Sequence, residues 1–198
     1  MENLEETAEK LLSFEGKAKG EIFRKCLDYI RQKEGEEGVR KVEEKVREVS
    51  SIDIDKVKSL NWVKEGVSSL TIITAKELFD WDDDEVYRMG SFVPKTSFIT
   101  KILVRHFASR EKVFREAPRY WSRHCDFGEM ESVELSEEGK YVILRLKGFR
   151  VHPVICKFHG GYIKGFAEIG MKGKNIKVEE VKCPYRGDDY HEYKLTWE

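Results

Sequence analysis

Up to about residue 125 the apolar positions of this chain recur three and four apart, and beyond it they alternate. Ile22, Phe23, Cys26, Leu27 and Ile30 draw one stripe along a helix over residues 20–33, which Gly35 ends. Val39, Val42, Val46 and Val49 repeat that spacing with charges on every other face, the pattern of a surface helix with one buried seam. A short, charged helix over residues 3–14 precedes them. After a break from Ser50 to Asp55, a more apolar helix runs from about Val63 to Phe79. Asp82, Asp83 and Asp84 are placed to open a helix through Val86 and Met89, and Gly90 is expected to stop it. Pro94 precedes a helix holding Phe98, Ile99, Ile102, Leu103 and Phe107. A further one begins near Ser109, is interrupted near Pro118 and reaches His124.

Val133 and Leu135 mark a first strand. Val142, Leu144 and Leu146 alternate in a second, after the turn Glu138-Gly139. His152-Pro153 opens a helix that carries Ile155, Phe158, Tyr162, Phe166 and Ile169 on one face and that precedes Gly173. Ile176 and Val178 have the opposite parity from Val181 and Cys183, which predicts a bulge between Val178 and Val181 in a third strand. The last strand, from about Tyr190 to Trp197, puts His191, Tyr193, Leu195 and Trp197 on one face. The fold class is α+β: an N-terminal helical bundle, residues 1–125, packed on a β-β-α-β-β antiparallel unit, residues 126–198. With few faces to cover its own sheet, the second part is expected to fold with the first as one domain.

Composition narrows the function classes. Among 198 residues, 37 acidic and 36 basic side chains leave a formal charge of −1, so no global field draws the chain to nucleic acid or anionic membrane. The 37 % charged content, mostly Lys, Arg and Glu, is of a kind common in thermophile proteins and suggests such a source. The first residues lack the basic start and apolar stretch of a signal peptide, and no run has the roughly 20 apolar residues of a membrane span. A cytoplasmic chain is expected, with its four cysteines reduced.

The candidate chemistry is sparse. His152, Cys156 and His159 have the spacings of one helix side, and Cys183 and His191 could lie on neighbouring strands; Cys156, His159, Cys183 and His191 are the metal candidates, with zinc the first ion to test. Ordinary capping and packing is the bland alternative, favoured by the absence of a close cysteine pair. Gly160, Gly161 and Gly165 within one helix mark either a close approach of backbones or a helix break. Phe98, Ile102 and Trp121 belong to a set of apolar residues that could line a cavity, with Arg150, His159 and Tyr162 as polar groups orienting a guest. Arg105, His106, Arg110, Arg115, Arg119 and Arg123 form a basic stretch, which reads as a solvated face paired with Glu111 and Glu116. No G-x-G-x-x-G, nucleophile elbow or triad spacing is present, so a non-enzymatic chain is expected.

The closing segment resembles the 4-vinyl-reductase-type small-molecule-binding domain, in which a cysteine precedes a Gly-Asp turn and an aromatic strand. Cys183, Gly187, Asp188, His191 and Tyr193 fill that pattern, with His191 where many members have a second cysteine. A wider resemblance over about residues 18–198 is to the superfamily that adds haem–nitric-oxide-binding domains and the transport-particle subunits of Golgi traffic. It rests on Gly20-Glu21-Ile22-Phe23 through Gly35-Glu36-Glu37-Gly38, on Val86 to Phe92 around Met89-Gly90, and on Arg150-Val151-His152-Pro153. The resemblance implies a sensor or carrier that binds a small hydrophobic molecule. Its alternatives are a zinc- or haem-binding sensor and a homodimeric structural adaptor. The haem-binding members use an axial histidine and a Tyr-x-Ser-x-Arg motif. Here Leu146-Lys147-Gly148-Phe149-Arg150 stands in the comparable place with only Arg150 matching, and neither His106 nor His124 falls at the axial position, which ranks haem behind zinc.

Overall fold

The computed structural model describes residues 4–50, 52, 54–104, 109–171 and 175–198. The helices are α1 (Leu4–Ser13), α2 (Gly20–Val49), α3 (Glu65–Leu78), α4 (Asp83–Thr96), α5 (Phe98–Val104), α6 (Arg110–His124) and α7 (Pro153–Gly170). The strands are β1 (Lys17–Lys19), β2 (Trp62–Lys64), β3 (Glu129–Ser136), β4 (Tyr141–Lys147), β5 (Lys177–Lys182) and β6 (His191–Thr196). The last four form an antiparallel sheet in the order β3-β4-β6-β5. The predicted α+β architecture is therefore present, with its β-β-α-β-β unit intact.

Register fixes which residues face inward. Val142, Leu144 and Leu146 of β4 pair with Leu195, Tyr193 and His191 of β6, and all six are buried. The opposite sheet face carries Arg145, bonded to Glu192 and close to Glu131, the ion-paired surface expected of a solvated side. α7 lies against the sheet with α6 beside it, α4 packs on α7, and α2 and α3 follow. Buried apolar residues from both halves form one continuous core.

Two sequence expectations change for physical reasons. Gly90 does not stop a helix: α4 runs through it to Thr96, because glycine there lets two backbones touch. A Cβ on Gly90 would lie 2.0 Å from the Phe158 carbonyl oxygen. Gly161 makes the reciprocal contact, its missing Cβ falling 1.9 Å from the Tyr87 carbonyl oxygen, so the glycines of α7 mark close packing and not a break. Pro118 does not interrupt α6. The Phe114 carbonyl, deprived of its helical N–H partner by the proline, accepts instead from the Ser132 hydroxyl of β3. Gly35 does end the first stretch, as expected: with φ of 73° and ψ of −175° its backbone is not helical, and α2 continues beyond it as a second stretch across a kink.

Two elements have no counterpart in the sequence pattern. β1 and β2 are three-residue strands that pair with each other. Ala18 also bridges to Cys125, and the Asp126 N–H donates to the Lys17 carbonyl at 2.9 Å, so β1 ties the helical half to the start of the sheet half. Such short strands carry too few residues for an alternation signal.

Candidate functional site

Four side chains meet where α7, β5 and β6 converge. Cys156 sits in the first turns of α7, whose N-cap is His152 with Nδ1 accepting from the Val154 N–H at 3.3 Å. Cys183 follows β5. Its N–H donates to the Asp188 carboxylate at 2.8 Å, and the turn between them needs Gly187 at φ 96°, a left-handed conformation that favours glycine. The Gly-Asp turn is thus the device that orients Cys183. His191 opens β6 and is wholly buried.

Glu180 is the fourth member, and it reaches the cluster through a backbone irregularity. Residues three apart on a regular strand point to opposite faces. The register shift between Glu180 and Lys182 leaves Val181 as an extra residue and returns Glu180 and Cys183 to the same face. The predicted bulge therefore sits at Val181. One ligand atom from each of Cys156, Glu180, Cys183 and His191 lies within 4.8 Å of every other. The two Sγ atoms are 3.7 Å apart, and His191 Nδ1 is 2.8 Å from Glu180 Oε1.

The donor set suits a tetrahedral ion of zinc type, two thiolates with one imidazole and one carboxylate. His191 is already oriented for the task. Its Nε2 is 2.9 Å from the Phe149 carbonyl, which can only accept, so Nε2 donates there, and Nδ1 faces the cluster beside Glu180, where its lone pair would serve an ion placed between them. Burial, followed by the charge of Glu180, pushes the Cys156 thiol well above the usual range. A bound cation would reverse that and release protons as it entered. Of the four metal candidates, Cys156, Cys183 and His191 come together here and His159 does not. Glu180 is absent from the candidates that spacing alone suggests; its one signal is the parity change around Val181, which puts Glu-x-x-Cys on one side.

His159 points instead into the interior between α6, α7 and the sheet. It is buried, its Nδ1 has no hydrogen-bond partner, and burial followed by the neighbouring His191 pushes its pKa down to about 3. With Glu65, His124, Cys125, Trp121 and Tyr162 it borders a void of about 10 Å³, the size of one water. A larger apolar cavity of about 50 Å³ adjoins, bordered by Tyr120, Trp121, Leu144, Tyr162, Phe166 and Leu195 among others. Tyr120 holds the Thr100 hydroxyl at 2.6 Å and the Tyr162 hydroxyl at 3.3 Å. Trp121, Tyr162 and His159 thus gather at one place. The other three guest-binding candidates do not join them: Phe98 and Ile102 are 73 % and 41 % exposed, because α5 turns that face outward, and exposed Arg150 lies over the Tyr185 ring. Arg105, His106, Phe107 and Gly173 lie outside the described residues. In the rest of the basic stretch, Arg115 pairs with Glu111 and Arg119 with Glu116, as expected.

Glu65 makes this interior sensitive to pH. Burial raises its carboxyl to about 8, only partly offset by the Ser69 hydroxyl at 3.2 Å. An acid whose folded pKa exceeds its ordinary 4.5 favours folding at low pH. That advantage begins to fade near pH 4.5 and is gone above about 8. Glu65→Gln is expected to flatten the loss of stability between pH 5 and 8, a span worth roughly 3–4 kcal/mol in the wild type. Urea melts at several pH values check this.

No family model and no curated protein matches this chain. Solved structures do. An H-NOX protein from S. oneidensis, in its Fe(II)NO ligation state, superposes with a TM-score of 0.68 at 15 % identity, covering 91 % of this chain and 99 % of that one. An oxygen-binding H-NOX domain related to soluble guanylate cyclases gives 0.64 at 13 % identity, covering 91 % and 95 %. The chain has the fold of these haem domains. Their haem lends no support to ranking zinc ahead of it, so the room inside decides whether haem fits this chain. Drug-sized and cofactor ligands occupy roughly 300–1,000 Å³, against about 50 Å³ between α6, α7 and the sheet. His124 Nδ1 donates to the Tyr120 carbonyl at 2.9 Å, which leaves its lone pair on Nε2, but its ring stacks on Tyr120 and no room for a haem lies beside it. The described residues, as arranged, do not fit a haem. No helix among them is long and apolar enough to cross a membrane.

Proposed function

We propose that this chain is a small-molecule-sensing domain with a structural metal ion, built on the fold it shares with the H-NOX domains. The convergence of Cys156, Glu180, Cys183 and His191 within 4.8 Å carries the reading. The ion pins α7 to the β5–β6 turn and thereby holds one wall of the interior. The guest enters the apolar cavity beside Tyr120 and Tyr162, where burial of hydrocarbon supplies about 0.8 kcal/mol per methylene. This agrees with the 4-vinyl-reductase-type resemblance of the Cys183–Tyr193 segment, and it makes the chain a binding protein rather than an enzyme.

Cavity size sets what enters without repacking. An engineered cavity of about 150 Å³ holds benzene or xenon, three times the volume here. Benzene-sized guests therefore require α6 and α7 to part, which is a means of signalling the guest. Xenon-pressurised crystals test the place. One xenon atom between Tyr162 and Leu195, lost in Ala167→Leu, supports the reading, and xenon only elsewhere contradicts it.

The second reading is a haem-based gas sensor, favoured by the haem of the structural neighbours. It requires the interior to open far more widely. An absorption spectrum after incubation with hemin separates the two. A saturable Soret band at one haem per chain favours the second reading, and its absence with one zinc per chain favours the first.

A further inference from the structure

The formal charge of −1 conceals a local surplus of cations on the ribbon formed by β1 and β2. Residues directly opposite each other in an antiparallel pair share a face. Lys17 stands opposite Lys64 and Lys19 opposite Trp62, whereas Ala18 and Val63 occupy the other face, on which Ala18 is buried. The turn that feeds β2, closed by the Asn61 N–H on the Lys58 carbonyl at 3.1 Å, adds exposed Lys58 and Leu60. Two carboxylates are bonded to this surface. Glu15 meets the Lys64 ammonium at 3.1 Å, and Asp126 accepts from the Lys17 backbone N–H. Lys17, Lys19, Lys58 and Lys64 outnumber them, so among the described residues the face is cationic.

The lysines flank an apolar tip. Leu60 is 70 % exposed and Trp62 43 %. Lys19 Nζ sits 3.9 Å from the centre of the Trp62 ring and donates to the Leu60 carbonyl at 3.2 Å, which ties the strand to the turn. This arrangement costs the isolated chain stability, because like charges directly opposite in a ribbon repel. An anionic partner relieves that repulsion. We propose that the β1–β2 ribbon is a docking surface for an anionic lipid bilayer. Lysines draw it to such a surface at close range, tryptophan settles at the headgroup level, and Leu60 reaches the acyl boundary beyond. A nucleic acid also complements the lysines, but it offers no apolar layer to Leu60, the more exposed of the two apolar side chains. The docking is peripheral, since no helix among the described residues is long and apolar enough to cross a membrane.

Of the four tryptophans, Trp62 alone is exposed, so a change in emission on binding reports this face. The test is sedimentation and tryptophan fluorescence of the full chain with vesicles of equal parts phosphatidylserine and phosphatidylcholine, against phosphatidylcholine alone. The chain should sediment with the anionic vesicles only, its emission shifted to the blue. Raising salt to about 1 M should release it, because charges are then screened within about 3 Å. Lys17→Gln combined with Lys58→Gln should weaken binding about thirtyfold, near fivefold per lysine. Leu60→Ser, on an exposed turn, should weaken it about tenfold and melt like the wild type. Phe98→Ser, at an exposed apolar position on α5, should bind like the wild type. Equal binding to both vesicles, sedimentation with neither, or a loss in Phe98→Ser without one in Leu60→Ser would each overturn the proposal. So would an emission that shifts with a single-stranded oligonucleotide and not with vesicles, which would assign the face to nucleic acid.

Discussion

Cys183→Ser is expected to abolish stoichiometric zinc binding and to lower the thermal stability of the chain, while Cys26→Ser leaves zinc binding intact. Both residues are buried free cysteines, so the contrast isolates position from chemistry. Losing even an outer partner of a metal ligand costs about 10–100-fold in affinity, and losing a ligand itself should exceed the upper end. At fixed excess zinc, a hundredfold weaker site removes about 2.7 kcal/mol of linked stability, or roughly 5–10 °C in a chain of this size. Titration calorimetry and thermal melts with and without chelator check it. Wild-type protein with chelator should melt like Cys183→Ser, whereas Cys26→Ser should lose stability through packing and still respond to chelator.

Gly161→Ala should destabilise the fold by more than about 3 kcal/mol, at or beyond the usual cost of overpacking. The added methyl would lie 1.9 Å from the Tyr87 carbonyl oxygen and 3.0 Å from the Ser91 nitrogen. Those are backbone atoms of α4, which cannot rotate aside, so the two helices must separate. Gly160→Ala is the comparison. Its methyl meets side chains, the Tyr87 ring at 3.3 Å and the Tyr193 ring at 3.9 Å, and alanine's helix propensity of about 1 kcal/mol over glycine offsets those contacts. Urea denaturation should rank Gly161→Ala far below Gly160→Ala and wild type. Equal effects would mean that α4 and α7 do not touch through their backbones.

The sequence is most legible where one physical rule acts alone. Period and parity locate the helices and the sheet, including the inward row His191, Tyr193, Leu195 and the irregular strand around Val181. Rules of thumb fail where a distant partner intervenes. Pro118 remains helical because Ser132 satisfies the freed carbonyl, and Gly90 remains helical because α7 presses against it. Neither partner is visible from local spacing. At the site, helical spacing groups His159 with Cys156, yet three residues along a helix is about 300° of rotation, and that difference sends His159 into the core while Cys156 faces β5. Glu180 is hard to single out because carboxylates are common on exposed strands and only the bulge turns this one inward. The inward-facing aromatic residues have the composition of a cavity lining. The structure shows them mostly packed on one another, leaving a void smaller than benzene.

The proposed sensing domain rests on four side chains from α7, β5 and β6 that would close around a single ion at one corner of the sheet. X-ray absorption at the zinc edge, on protein purified without chelator, measures that arrangement directly. Two sulfur neighbours at about 2.3 Å and two nitrogen or oxygen neighbours at about 2.0–2.2 Å, in one zinc per chain, are the predicted result. Zinc surrounded only by nitrogen and oxygen, or a chain that takes up no zinc while all four residues are intact, would contradict it.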